Sequence, residues 1–169
     1  LALGAVEAFW GFGMNLTSVY SVLPVFLEAS GGGDRLLGFL ALAQAAGIGL
    51  PQVFGTWWSR PWRRKGPFVF WAHVVSTLPF PILAAYLHMN GMDSKPGVIV
   101  ALQAVFFVMI GITAPVWIDY MGRILREEQR GRAFGLIFSA QAIAGILGGF
   151  ASAAFIKGRG TTPDAMAAL

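Results

Sequence analysis

Long apolar runs, each closed by a short polar or glycine-rich turn, set the rhythm of this chain. A helix rises 1.5 Å per residue and the hydrocarbon core of a bilayer is about 30 Å thick, so one crossing needs roughly 20 mainly apolar residues. Five runs meet that requirement: Ala5 to Glu28, Leu36 to Trp58, Gly66 to Leu87, Val98 to Tyr120 and Ala133 to Ile156. The pattern predicts an all-α membrane protein with five transmembrane helices. A soluble bundle of long core helices would need a polar face on every helix, and the second, third and fifth runs have none.

Three runs carry polar or small residues at helical spacing. At 100° per residue, Glu7, Gly11, Asn15, Ser18 and Ser21 share an arc of about 120°, opposite Phe9, Phe12, Leu16, Tyr20, Leu23 and Leu27. Polar groups in hydrocarbon cost free energy unless they are paired, so this stripe faces either a tight helix contact or a hydrated cavity. On the fifth run Gln141, Gly145, Gly148 and Ser152 fall within about 60°, and glycines there let two backbones approach closely. On the second run Gln44, Gly47, Pro51 and Gly55 align, and Pro51 is expected to kink the helix because it removes one backbone hydrogen bond.

Composition agrees with a membrane protein: 56% of the 169 residues are apolar and 12% are charged, with the charges gathered between the runs. The chain has no cysteine, which excludes disulfides, thiolate metal sites and a cysteine nucleophile. Its two histidines, His73 and His88, are not spaced for a metal, and there is no GxSxG, HExxH or P-loop motif. No enzyme activity, cofactor or metal is therefore expected.

The net charge of +4 reflects sidedness more than nucleic-acid binding. The turns after the second and fourth runs hold Arg60, Arg63, Arg64, Lys65, Arg123, Arg126, Arg130 and Arg132. The opposite side has only Arg35, Lys95, Lys157 and Arg159. The positive-inside rule then places the N-terminus and both basic turns in the cytoplasm of a multi-pass cell-membrane protein.

An internal repeat emerges at an offset of 97 positions. Arg35, Gly38, Ala43, Gln44 and Ala45 fall in register with Arg132, Gly135, Ala140, Gln141 and Ala142. Three crossings separate the copies, so they run in opposite directions, as in inverted repeats of three helices.

The turn after the second run resembles the loop between the second and third helices of the major facilitator superfamily, whose pattern is GxxxD(R/K)xGRR(R/K). Gly55 fits the opening glycine, Arg60 the first cation, and Arg63, Arg64 and Lys65 the basic close; Ser59 stands where the family has Asp, and Trp62 where it has Gly. Arg130-Gly131-Arg132 is similar to the family's entry into its fifth helix, preceded by Asp119 near the end of the fourth. Gly145, Gly148 and Gly149 resemble its glycine-rich fifth helix.

The resemblance implies an N-terminal bundle of inverted three-helix repeats, occupying residues 1–169. It also implies a missing C-terminal half of the same chain, and alternating-access transport of a small solute coupled to a proton or another cation. A non-transporting receptor or scaffold of related fold is the alternative. The partners expected are the lipid bilayer and the solute, with no nucleic acid.

Candidate residues follow from both lines of reasoning. Asn15, Ser18, Gln44, Gln103 and Gln141 are candidates for a solute cavity. Glu7, Asp119, Gly55, Arg60, Arg64 and Arg130 are candidates for coupling or for a cytoplasmic gate. Alternatives stand at three positions. Glu7 is interfacial or coupled to an ion. His73 is a packing residue or a proton relay. Asp119 pairs locally with Arg123 one turn later or belongs to the gate.

Overall fold

Helices account for nearly all of the regular structure in the computed structural model, which describes residues 2–18 and 20–169 and every one of their side chains except that of Met92. In chain order they are α1 (Ala2–Leu16), α2 (Val22–Ala29), α3 (Asp34–Gly49), α4 (Pro51–Ser59), α5 (Gly66–Thr77), α6 (Pro79–Asn90), α7 (Pro96–Ile124), α8 (Arg130–Arg159) and α9 (Pro163–Ala167). Among the described residues four stretches are long and apolar enough to cross a membrane: Asp34–Ser59, Gly66–Asn90, Pro96–Ile124 and Glu127–Arg159. They overlap the second to fifth expected spans.

The first expected span, 5–28, is not one continuous helix. It is divided into α1 and α2, and Val19 within it lies outside the described residues. Local chemistry accounts for the break. Pro24 has no N–H to give Tyr20, and its ring excludes that carbonyl from a continuing helix. The helix restarts from Ser18, whose carbonyl takes the amides of Val22 and Leu23, each at 2.9 Å.

Prolines also divide two of the long spans. Leu50 separates α3 from α4 just before Pro51, the place where a kink was expected. In the same way Leu78 separates α5 from α6 before Pro79, and there the Leu78 amide bonds Val75 three residues back at 3.2 Å.

Small residues decide which helices meet. α1 packs along α8, and α7 packs against α3, α4 and α5. A Cβ on Gly11 would lie 2.1 Å from the Gln141 carbonyl oxygen, and one on Gly148 would lie 2.4 Å from that of Phe12. Across the other pair, a Cβ on Gly55 would lie 2.3 Å from the Ile112 oxygen, and one on Gly111 would lie 2.5 Å from that of Gly47. Gly47 is the carbonyl to which Pro51 cannot donate, so the proline opens a polar atom and the neighbouring glycine covers it.

One contact in each packing is related by the 97-position offset. Ser152 places its hydroxyl 3.1 Å from the carbonyls of Asn15 and Leu16. Gly55, 97 positions before Ser152, rests on Ile112, 97 positions after Asn15. Outward-facing surfaces are apolar, as a lipid solvent demands: Phe9, Val53, Trp57 and Phe150 are each more than two-thirds exposed.

Candidate functional site

Glu7 is buried, 4% exposed, although it carries a carboxylate inside an apolar bundle. It sits one turn before Gly11, the point of closest approach to α8, so the packing that seats the glycine also draws the carboxylate inward. The indole Nε1–H of Trp117 on α7 donates to its Oε1. Among the described residues no cation lies within ion-pair distance of it.

His73 of α5 completes the cluster. Its ring packs edge-on to Trp117 at 5.4 Å between centroids and edge-on to Trp10 of α1 at 5.6 Å. Its Nδ1 lies 2.7 Å from the Val69 carbonyl, which can only accept, so Nδ1 carries a hydrogen and Nε2 is the free position.

These residues surround a small cavity of about 170 Å³, whose wall also includes Thr113, Phe138 and Gln141. That space suits a few water molecules. A larger cavity of about 710 Å³ lies on the other side of Trp10 and His73, with an apolar wall that includes Phe9, Phe80, Phe106 and the buried Gln103.

The sequence candidates for a solute path therefore separate. Gln141 reaches the small cavity and Gln103 the large one, whereas Asn15, Ser18 and Gln44 belong to neither wall. Asn15 donates its amide to the Gly11 carbonyl at 2.9 Å, and a Cβ on Gly145 would meet that amide at 2.7 Å. Ser18 lies past the end of α1.

A second cluster forms at the end that carries the basic turns. Lys65, 5% exposed, forms an ion pair with Oδ2 of Asp119, and Arg123 reaches Oδ1 of the same carboxylate at 3.2 Å. Asp119 thus makes the local pair expected from its i,i+4 neighbour and a second, across helices, that the sequence did not reveal. Ser59 is buried, with its hydroxyl directed at the Thr56 carbonyl at 3.5 Å. Arg130 donates from Nε to the Leu125 carbonyl at 3.3 Å, while Arg60 and Arg64 are exposed.

Sequence reasoning did not name Trp117 or Trp10. A tryptophan on the fourth span with an acidic residue on the first was the available signal, but it lacked any periodicity that would have joined residues 110 positions apart.

The family model described as Major Facilitator Superfamily matches residues 3–149. No curated protein and no solved structure matches the chain.

Proposed function

This chain belongs to the major facilitator superfamily, and from that premise we propose that it is part of a secondary active transporter that moves a small solute by alternating access, with Glu7 as its coupling group. The observation that carries the reading is a carboxylate 4% exposed inside the bundle, held by Trp117 and facing a small cavity shared with His73. An intramembrane ionisable group is expensive and tends to mark an ion path.

The coupling ion in this reading is a proton. Metal cations such as sodium require several oxygen ligands, whereas an indole N–H already points at the carboxylate. From α5 the titratable group facing the cavity is His73; from α7 and α8 the polar groups are the neutral Thr113, Trp117 and Gln141. Protonating Glu7 weakens its hold on Trp117, which gives proton binding a route to the helix contact between α1 and α7.

Two further features support an alternating-access carrier. The matched contacts Ser152 on Asn15 and Gly55 on Ile112 are what a pair of inverted three-helix repeats would produce. The ion pair of Asp119 with Lys65 joins α7 to the hairpin after α4, a place where a cytoplasmic gate could open and close. In this topology five helices cross the membrane, α1 with α2 forming the first, and the basic turns are cytoplasmic.

The test uses the intact protein in proteoliposomes that contain a pH-sensitive dye. Solutes of different classes are added one at a time. A solute that moves protons saturably, and no longer does so after Glu7→Gln, is the expected result. Solute-driven proton movement that survives Glu7→Gln would overturn the coupling role, and no solute-driven flux of any kind would favour a non-transporting scaffold.

A further inference from the structure

The turn between α4 and α5 concentrates two kinds of group that seldom serve the interior of a protein. Trp58, Trp62 and Phe68 form a closed aromatic triad with ring centroids 4.9, 4.7 and 5.7 Å apart, each pair edge to face. Three arginines, Arg60, Arg63 and Arg64, lie in the same few residues, are all exposed, and make no ion pair among the described residues. The fourth cation, Lys65, is buried and paired with Asp119, whose second oxygen is taken by Arg123. Both oxygens of the Asp119 carboxylate are therefore already engaged.

The approach to this turn is equally specific. Val53, Phe54, Trp57 and Trp58 on α4 are 71%, 67%, 74% and 53% exposed. They lie within a membrane-spanning stretch and run directly into the three guanidinium groups. Within the turn the Trp62 amide bonds the Ser59 carbonyl at 3.1 Å. A strip of apolar and aromatic side chains ending in unpaired cations matches one class of partner, an amphiphile with acyl chains and an anionic head.

We propose that this hairpin is a docking site for an anionic phospholipid of the adjoining leaflet, with its acyl chains along α4 and its phosphate on Arg60, Arg63 and Arg64. Guanidinium forks match phosphate oxygens, and indole rings settle at headgroup depth. The aromatic triad fixes where the turn sits in the interface and so sets the height at which the arginines meet the phosphates. The proposal depends on the membrane-spanning character of α3 and α4 and not on transport.

The experiment places the intact protein in phosphatidylcholine bilayers with a small admixture of lipid brominated on its acyl chains, because bromine quenches only nearby tryptophan. Brominated phosphatidylglycerol should quench more than brominated phosphatidylcholine at the same fraction, and the excess should disappear in the W57F/W58F variant. Each cation near an anionic surface contributes a factor of about five, so R63Q/R64Q should lower the preference for phosphatidylglycerol at least about fivefold. Replacing Arg126, in the turn between α7 and α8, and Arg132, in the first turn of α8, should leave the preference in place.

Equal quenching by the two headgroups in the unsubstituted protein would overturn the proposal. So would a preference that survives R60Q/R63Q/R64Q, or one that falls equally with R126Q/R132Q, which would signify a diffuse surface field. Displacement of the excess by millimolar inorganic phosphate would identify a free anion as the ligand and also overturn it. Should the arginine variants fail to fold, added salt supplies the same test on the unsubstituted protein, since a preference insensitive to salt is not made by guanidinium and phosphate.

Discussion

Trp117 donates its indole N–H to the carboxylate of Glu7, 110 positions away, and so ties α7 to α1 inside the bundle. Glu7 is buried and Trp117 half-buried, so the bond is shielded from bulk solvent and its loss is costly. Trp117→Phe keeps the ring and removes the donor, leaving a buried carboxylate without its partner. The expected cost is about 1–3 kcal/mol. Glu7→Gln should cost less, because an amide oxygen still accepts the indole hydrogen. Unfolding of each variant in detergent measures both effects, and a Trp117→Phe protein as stable as the parent would show that the bond contributes nothing.

Adjacent glycines on α8 provide an internal comparison. A Cβ on Gly148 would press on the backbone oxygen of Phe12 at 2.4 Å, whereas one on Gly149 meets nothing within 4 Å. Gly148→Ala should therefore push α1 off α8 and destabilise the fold by about 1–3 kcal/mol. Gly149→Ala removes a flexible residue from a helix interior and should be neutral or stabilising by up to ~1 kcal/mol. Equal thermal stability of the two variants would count against the glycine contact as the basis of the pairing.

How far the sequence revealed this arrangement depended on whether a signal was local. The faces Gln141, Gly145, Gly148, Ser152 and Gln44, Gly47, Pro51, Gly55 were visible because a helix repeats every 3.6 residues, and they meet α1 and α7. The pairing of Asp119 with Arg123 was visible as an i,i+4 neighbour. Its pairing with Lys65 was not, because the partner is 54 positions away. Asn15 shared an arc with Glu7, yet it turns back onto its own helix at Gly11 while Glu7 meets Trp117. An arc gives a direction, and only the neighbouring helix decides what lies there.

The sidedness of the two ends is open to direct measurement, because the chain has no cysteine to remove. Arg64 lies in the turn between α4 and α5, Asp93 in the turn between α6 and α7, and both are exposed. A single cysteine at each should react with a membrane-impermeant thiol reagent from opposite sides, Arg64→Cys from the cytoplasm. Ser59 is a poor reporter for this purpose, being 2% exposed. Reaction of both from the same side would require a different set of crossings.

Asp119 accepts from two cations whose surroundings differ. The side chain of Lys65 is 4% exposed and that of Arg123 is 51% exposed. Solvent screens the arginine pair, so Arg123→Gln should change stability by at most about 1 kcal/mol. Asp119→Asn instead strands an ammonium group in the interior. Removing one partner of a buried pair costs about 3–5 kcal/mol, and the 42% exposure of Asp119 places this case towards the lower end of that range. Replacing Lys65 by Met in the Asp119→Asn background should restore part of the loss, because the stranded charge is then gone and the methionine fills the same space. Thermal unfolding of the two single variants and the double tests this ordering. If Asp119→Asn and Arg123→Gln proved equally mild, Lys65 would have to be solvated in the intact protein, and the contact between α7 and the hairpin would not rest on that ion pair.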